Sequence, residues 1–127
     1  MTSINELSPL ALAFMGDAIH TAYVRSEVLK GQRNKLNNYH ETAKKFCNAK
    51  HQMQVIEKIS SLLTDEEKDV VRKARNTHSK HLAKNFDEET YKKATAFEAL
   101  VGYLYLTAQL ERLNEILKMS MEIEVQK

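Results

Sequence analysis

Three glycines and one proline are all that punctuate a chain of 127 residues. Strands joined by tight turns need these residues for positive φ angles and fixed bends, so the pattern argues for helices rather than a β-rich fold. Hydrophobic residues supply 43% of the chain against 28% charged, enough apolar material to offset the entropy of ordering one core. The length suits a single domain over residues 1–127.

Helix boundaries can be placed from capping chemistry. Ser8 followed by Pro9 marks the first start, because a hydroxyl can take a free amide and proline loses nothing at the first helical position. That helix is expected to run through Phe14, Met15, Ala18, Ala22 and Val24 to Lys30-Gly31. From residue 36 to 63 the spacing of Leu36, Tyr39, Ala43, Phe46 and Cys47, then Met53, Ile56, Ile59 and Leu63, approximates a helical period. One or two helices fit, divided near Asn48. Thr64-Asp65-Glu66-Glu67 has the reciprocal capping pattern and predicts a short helix to about Arg75. Residues 76–87 lose periodicity and are expected to form a loop ending at a cap, Asp87. A helix from Glu88 to about Gln109 and an amphipathic one through Leu110, Leu113, Ile116, Leu117 and Met121 complete a compact all-α bundle of five to seven helices.

The formal charge of +2 is too small to imply a polyanionic partner by itself, so any such argument must come from local clustering. Cys47 is alone, which excludes an intrachain disulfide and suits a reducing compartment. The N-terminal MTSINELSPL lacks a basic stretch followed by an apolar one, and no apolar run approaches the ~18 residues a membrane helix requires. A cytoplasmic location and no membrane partner are expected.

Two carboxylates stand apart from the rest. Asp17 is the only formally charged residue between Ser8 and Val24, and Glu98 the only one between Ala94 and Leu110. A carboxylate withdrawn from water costs several kcal/mol unless it is paired, hydrogen-bonded or bound to a cation. Brought together, the two would repel, and a hard divalent cation such as Mg2+ would relieve both penalties. Alternatively, each pairs separately with an Arg or Lys. Gly16, beside Asp17, would let another backbone or a substrate approach closely.

The strings LAFMGDAIHTAYVR (residues 12–25) and ATAFEALVGYLYL (residues 94–106) resemble the two signature helices of ribonuclease III, in order and in separation. The closer likeness is to the mini-ribonuclease III group, which has the nuclease domain without the double-stranded-RNA-binding domain. VVRKARNTHSKHLAKN (residues 70–85) is similar to that group's basic Arg-x-x-Arg-Asn segment. Two of the four metal-site acids of full-length ribonuclease III are matched, by Asp17 and Glu98. The other two positions hold Ala13 and Thr95, so weaker metal binding is expected. His20 stands where an aromatic is expected and is read as a packing residue.

The resemblance implies an all-α ribonuclease III-type nuclease domain that hydrolyses duplex RNA, leaving 5′-phosphates and 3′-hydroxyls. Asp17 and Glu98 would be the catalytic metal ligands for Mg2+, with Mn2+ as a substitute and Thr95 as an outer-shell partner. It further implies a homodimer and, as substrate, the precursor of large-subunit (23S) ribosomal RNA. Between residues 70 and 86 lie Arg72, Lys73, Arg75, Lys80 and Lys84 with Asn76, His78 and His81 and no acid, a surface suited to phosphates. Arg72, Lys73, Arg75, Asn76, Lys80 and Lys84 are the expected RNA-binding residues. Arg25, Lys30, Arg33 and Lys35 form a second basic cluster. His78 and His81 lack partners at zinc-site spacing, and Tyr103 and Tyr105 read as core or subunit contacts. The rival reading is a catalytically silent RNA-binding module of a ribonucleoprotein, for which Ala13 and Thr95 speak. A helical interaction scaffold leaves the two acids unexplained.

Overall fold

Two helices touch backbone to backbone at Gly16 and Gly102, and the rest of the fold is arranged around that contact. The computed structural model describes residues 3–31, 35–77 and 88–123. Among them the chain forms six α-helices and no strand: α1 (Pro9–Lys30), α2 (Leu36–Lys44), α3 (Ala49–Ile59), α4 (Asp65–Arg75), α5 (Glu88–Leu106) and α6 (Leu110–Glu122). An all-α fold is what the scarcity of glycine and proline requires.

The caps explain most boundaries. The Ser8 hydroxyl accepts from the Ala11 amide at 3.1 Å, with Pro9 in the first turn. Asn48 both ends α2 and starts α3: its amide donates to the Lys44 carbonyl at 2.7 Å, and its oxygen accepts from the His51 amide at 2.9 Å. Thr64 and Glu67 cap each other's amides as their spacing predicts. Two boundaries differ from expectation. A 3₁₀ turn, Ile4–Glu6, precedes α1 with a capping box of its own between Ser3 and Glu6. Helix α5 stops at Leu106 rather than near Gln109, because Ala108 adopts φ 58° and the Gln109 amide turns back to the Leu104 carbonyl at 2.9 Å. This left-handed stop is one that glycine normally marks, so an alanine there gave no signal. Asp87, expected as a cap, lies outside the described residues.

Helix α5 is central and apolar on nearly every side, and α1, α3, α4 and α6 all pack against it. One core cluster joins Val55, Ile56 and Ile59 of α3 to Phe97, Leu100, Val101 and Leu104 of α5 and Leu113, Ile116 and Leu117 of α6. A second, built from Leu12, Ala13, Ala74, Ala96 and Ala99, is made mostly of small side chains and allows α1 and α4 to lie close to α5. Buried Glu67 is bound by Arg112 at 2.8 and 2.9 Å, and Arg112 also donates to the Leu62 carbonyl, tying the start of α4 to α6.

A Cβ built on Gly16 would lie 1.7 Å from the Glu98 carbonyl oxygen, and one on Gly102 would lie 1.9 Å from the Leu12 carbonyl oxygen. Leu12 thus opposes Gly102 while Gly16 opposes Glu98, so the helices cross in antiparallel sense. Since the obstructing atoms are backbone, no rotamer change relieves the clash. Gly16→Ala and Gly102→Ala should each destabilise by about 3 kcal/mol or more in urea unfolding, at or beyond the upper end of ordinary overpacking. Gly31→Ala, whose Cβ meets only the Val28 carbonyl at 3.3 Å, should cost clearly less; equal losses at all three positions would contradict the close-crossing account.

A candidate two-carboxylate active site

The crossing at Gly16 delivers the residue after it, Asp17, to Glu98 on the facing helix. Glu98 is half-buried and Asp17 exposed at the rim, so withdrawal from water applies to Glu98 only. Burial pushes the Glu98 carboxyl from its ordinary 4.5 up to about 8, and a hydrogen bond with Asp17 and that group's negative charge push the same way. The Gln52 side chain also bonds Glu98 and opposes the shift. Among the described residues neither carboxylate forms an ion pair with Lys or Arg, and the two acids instead interact with each other.

Behind the carboxylates lies a polar seam. Gln52, on α3, is 6% exposed, and its Nε2 lies 3.3 Å from His20 Nδ1. His20, 1% exposed, stacks edge-on against Phe97 with ring centroids 4.9 Å apart. Burial, reinforced by His51, lowers its pKa to about 4 against a smaller opposite pull from Asp17, so the ring is neutral near pH 7. His51 Nε2 faces the Ser120 carbonyl at 2.9 Å. Half-buried Cys47 bonds Thr21, and burial raises its thiol pKa. Its environment includes Asp17, Arg25 and Glu98, which places it beside the site.

Ala13 and Thr95, one turn before Asp17 and Glu98, are each 7% exposed. Ala13 belongs to the alanine-rich cluster, and Thr95 is a buried polar residue of α5. The donor set is therefore two carboxylates with an amide behind them. Oxygen donors of this kind, few in number, fit a hard cation that retains several waters, as Mg2+ does. No group of three or more His, Cys, Asp or Glu converges as a metal site among the described residues, so nothing there resembles a closed zinc cage.

The basic segment is less free than its sequence indicates. Arg72 and Lys73 pair with Asp69 on the same helix, at 2.5 and 3.0 Å, and Arg75 reaches Glu89 of α5 at 3.0 Å. Both acids lie just outside the acid-free stretch. The three cations remain exposed, and Arg72, Arg75 and Asn76 line a shallow cleft with Lys68. Asn76 is also the C-cap residue of α4. Lys80 and Lys84, with His78 and His81, lie outside the described residues, as does Arg33 of the second basic cluster. In that cluster Lys30 pairs with Glu27 and Arg25 is exposed. Tyr103 packs on both core clusters and bonds Glu66, whereas Tyr105 is 41% exposed.

Gln52 was not singled out in the sequence. The available signal was phase: α3 buries His51, Gln52, Val55, Ile56 and Ile59, a stripe that includes two polar residues, while Met53 is only half-buried. A glutamine in step with three aliphatic residues needs a polar partner inside.

The raised Glu98 pKa has a consequence for stability. Between pH 4.5 and about 8 the folded protein keeps a proton that the unfolded chain has released. Its stabilising contribution is complete below the unfolded value and is lost as pH rises through the folded one. In metal-free buffer the melting temperature should fall from pH 6.5 to pH 8.5; below pH 6.5 the buried neutral His20 ring contributes with the opposite sign. Glu98→Gln should flatten that slope, and an unchanged slope in the variant would assign the dependence elsewhere.

Comparison with known proteins agrees with this architecture. Residues 10–109 match the family profile of the ribonuclease III domain. Proteins named Mini-ribonuclease 3 from Thermoanaerobacter sp. and Staphylococcus aureus are each 42% identical to the chain. The matches cover 92% and 90% of it and 82% and 87% of their own lengths. A crystal structure of a protein from Fusobacterium nucleatum superposes with a TM-score of 0.85 at 30% identity, covering 96% of this chain and 98% of that one. With the paired carboxylates on its two signature helices, the chain belongs to the ribonuclease III family of endoribonucleases, within the mini-ribonuclease III group.

Proposed function

We propose that the chain is a metal-dependent endoribonuclease that cuts double-stranded RNA, with Asp17 and Glu98 as the catalytic metal ligands and the precursor of 23S ribosomal RNA as substrate. The observation that carries this reading is the meeting of the two acids: Glu98 shares a hydrogen bond with Asp17, and no described cationic side chain neutralises either one. When bound there, Mg2+, or Mn2+ in its place, supplies Lewis-acid activation of the phosphate and of the attacking water.

The chain's own residues orient and hold. Asp17, exposed at the rim, presents a carboxylate to solvent and substrate, while Glu98 anchors the site from below. The Gln52 amide supports the ionised form of Glu98. Arg72, Lys73, Arg75 and Asn76, with Lys80 and Lys84, contact the phosphates of the duplex; Thr95 serves as an outer-shell group. Duplex RNA is read by such contacts and by shape, because its major groove is too narrow to admit side chains.

A homodimer, with one site for each strand, is part of the same proposal. Phe14 is 83% exposed and Leu10 38% exposed, one turn apart on α1 just before Asp17. An apolar face of this kind beside a carboxylate site suits a second copy of the chain. No helix among the described residues is long and apolar enough to cross a membrane. The second reading, a silent RNA-binding module, is favoured by one observation, the replacement of two acids by Ala13 and Thr95.

A labelled RNA duplex, incubated with the protein and Mg2+ or chelator, separates the readings. Cutting should require the metal, and Asp17→Asn or Glu98→Gln should lower it on the order of 100-fold or more while duplex binding is largely retained. Binding without cutting by the unaltered chain would favour the module. Arg75→Ala should weaken binding and reduce the slope of log affinity against log salt by about 1; unchanged affinity would remove Arg75 from the interface.

A further inference from the structure

We propose that Gln52 is a positioning residue for Glu98, its side-chain amide held by His20 in the orientation that donates to the Glu98 carboxylate. The inference rests on the assignment of Glu98 as a metal ligand.

Gln52 occupies a place in the buried stripe of α3 where an aliphatic side chain would pack without penalty. Burying a primary amide costs free energy unless its donors and acceptor are satisfied. Both of its identified side-chain partners belong to the site: the Glu98 carboxyl and His20 Nδ1. An amide nitrogen carries two hydrogens, one for each.

The ionised Glu98 carboxylate can only accept, so the amide turns its Nε2 toward it. The His20 ring is neutral, so one of its nitrogens is an acceptor and the other a donor. With Gln52 Nε2 at 3.3 Å, Nδ1 accepts and the ring proton sits on Nε2. An inverted amide would set its oxygen against the Glu98 carboxylate, a repulsive arrangement. The neighbouring His51 is also buried. Its Nε2 donates to the Ser120 carbonyl at 2.9 Å. His20 Nε2 and His51 Nδ1 are the buried side-chain atoms without a partner among the described residues.

Glu98 therefore receives a fixed donor from behind, leaving the other side of its carboxylate to face Asp17. Groups that orient a ligand in this way typically change metal affinity or activity 10–100-fold when removed. Phe97, the residue before Glu98, packs against the His20 ring, so the same histidine holds the backbone of α5 and the amide that addresses its acid.

The test compares the full chain with Gln52→Met, which keeps side-chain length and loses the donor, and His20→Phe, which keeps a ring against Phe97 and loses the acceptor. Calorimetry with Mn2+ and no RNA measures affinity, and steady-state cleavage with Mg2+ separates kcat from KM. Gln52→Met should bind Mn2+ ~10-fold more weakly and lose ~10-fold in kcat, with KM for the duplex unchanged; His20→Phe should show a smaller loss in the same direction. A purely structural role would lower the melting temperature without changing Mn2+ affinity, and wild-type affinity in either folded variant overturns the proposal. If Gln52→Met does not fold, His20→Phe decides. An unaltered chain that binds Mn2+ but leaves RNA intact would defeat the nuclease reading while the affinity comparison still judged Gln52; one that binds no Mn2+ would defeat both.

Discussion

The contact between α1 and α5 governs this molecule. At Gly16 and Gly102 two helices approach so closely that a methyl group would collide with the opposite backbone. Ordinary helix pairs are held 8–10 Å apart by their side chains, and removing side chains at the contact is what permits a nearer approach. The alanine-rich cluster of Leu12, Ala13, Ala96 and Ala99 continues the same logic to either side. Because Asp17 follows Gly16 and Glu98 contributes the opposing carbonyl, the separation of the carboxylates is fixed by the closest contact in the fold. The placement of the two acids and the packing of the core are consequently one constraint.

The pairing of acids carries an electrostatic tension that the surrounding residues moderate. Two carboxylates in proximity cannot both ionise cheaply, and the deeper one responds by retaining a proton. A cation removes the reason for the proton, so occupancy by metal and by hydrogen are alternatives at one place. The residues behind the acids are neutral: the Gln52 amide and the His20 ring, the latter kept uncharged by burial. A positive side chain there would neutralise the pair permanently and remove its attraction for a cation.

Much of this was legible in the sequence, for identifiable reasons. The Ser8-Pro9 start, the division at Asn48 and the Thr64–Glu67 box are local chemistry, readable without tertiary context. Asp17 and Glu98 stood out because each is the sole charge in a long apolar run, residues 8–24 and 94–110, and their strings resembled known signatures. Three features were hidden. The end of α5 depends on Ala108 taking a conformation that its side chain does not advertise. The basic segment looked unopposed because Asp69 and Glu89 flank it in sequence and reach it only in three dimensions. Gln52 became visible only when the phase of α3 was known, since a one-residue error exchanges it for Met53.

The ion pairs along α4 have a bearing on selectivity. Arg72, Lys73 and Arg75 already have anionic neighbours, so a polyanion arriving there displaces one set of partners for another instead of filling an empty field. A lone anion gains little from such an exchange, since each exposed pair is worth about 1 kcal/mol or less and the freed carboxylate repels the newcomer. A rigid double helix, with phosphates at regular intervals, can replace several pairs in one docking event. If the proposed duplex docks on this cationic strip, the strip's partial internal pairing would favour long, regular polyanions over short ones.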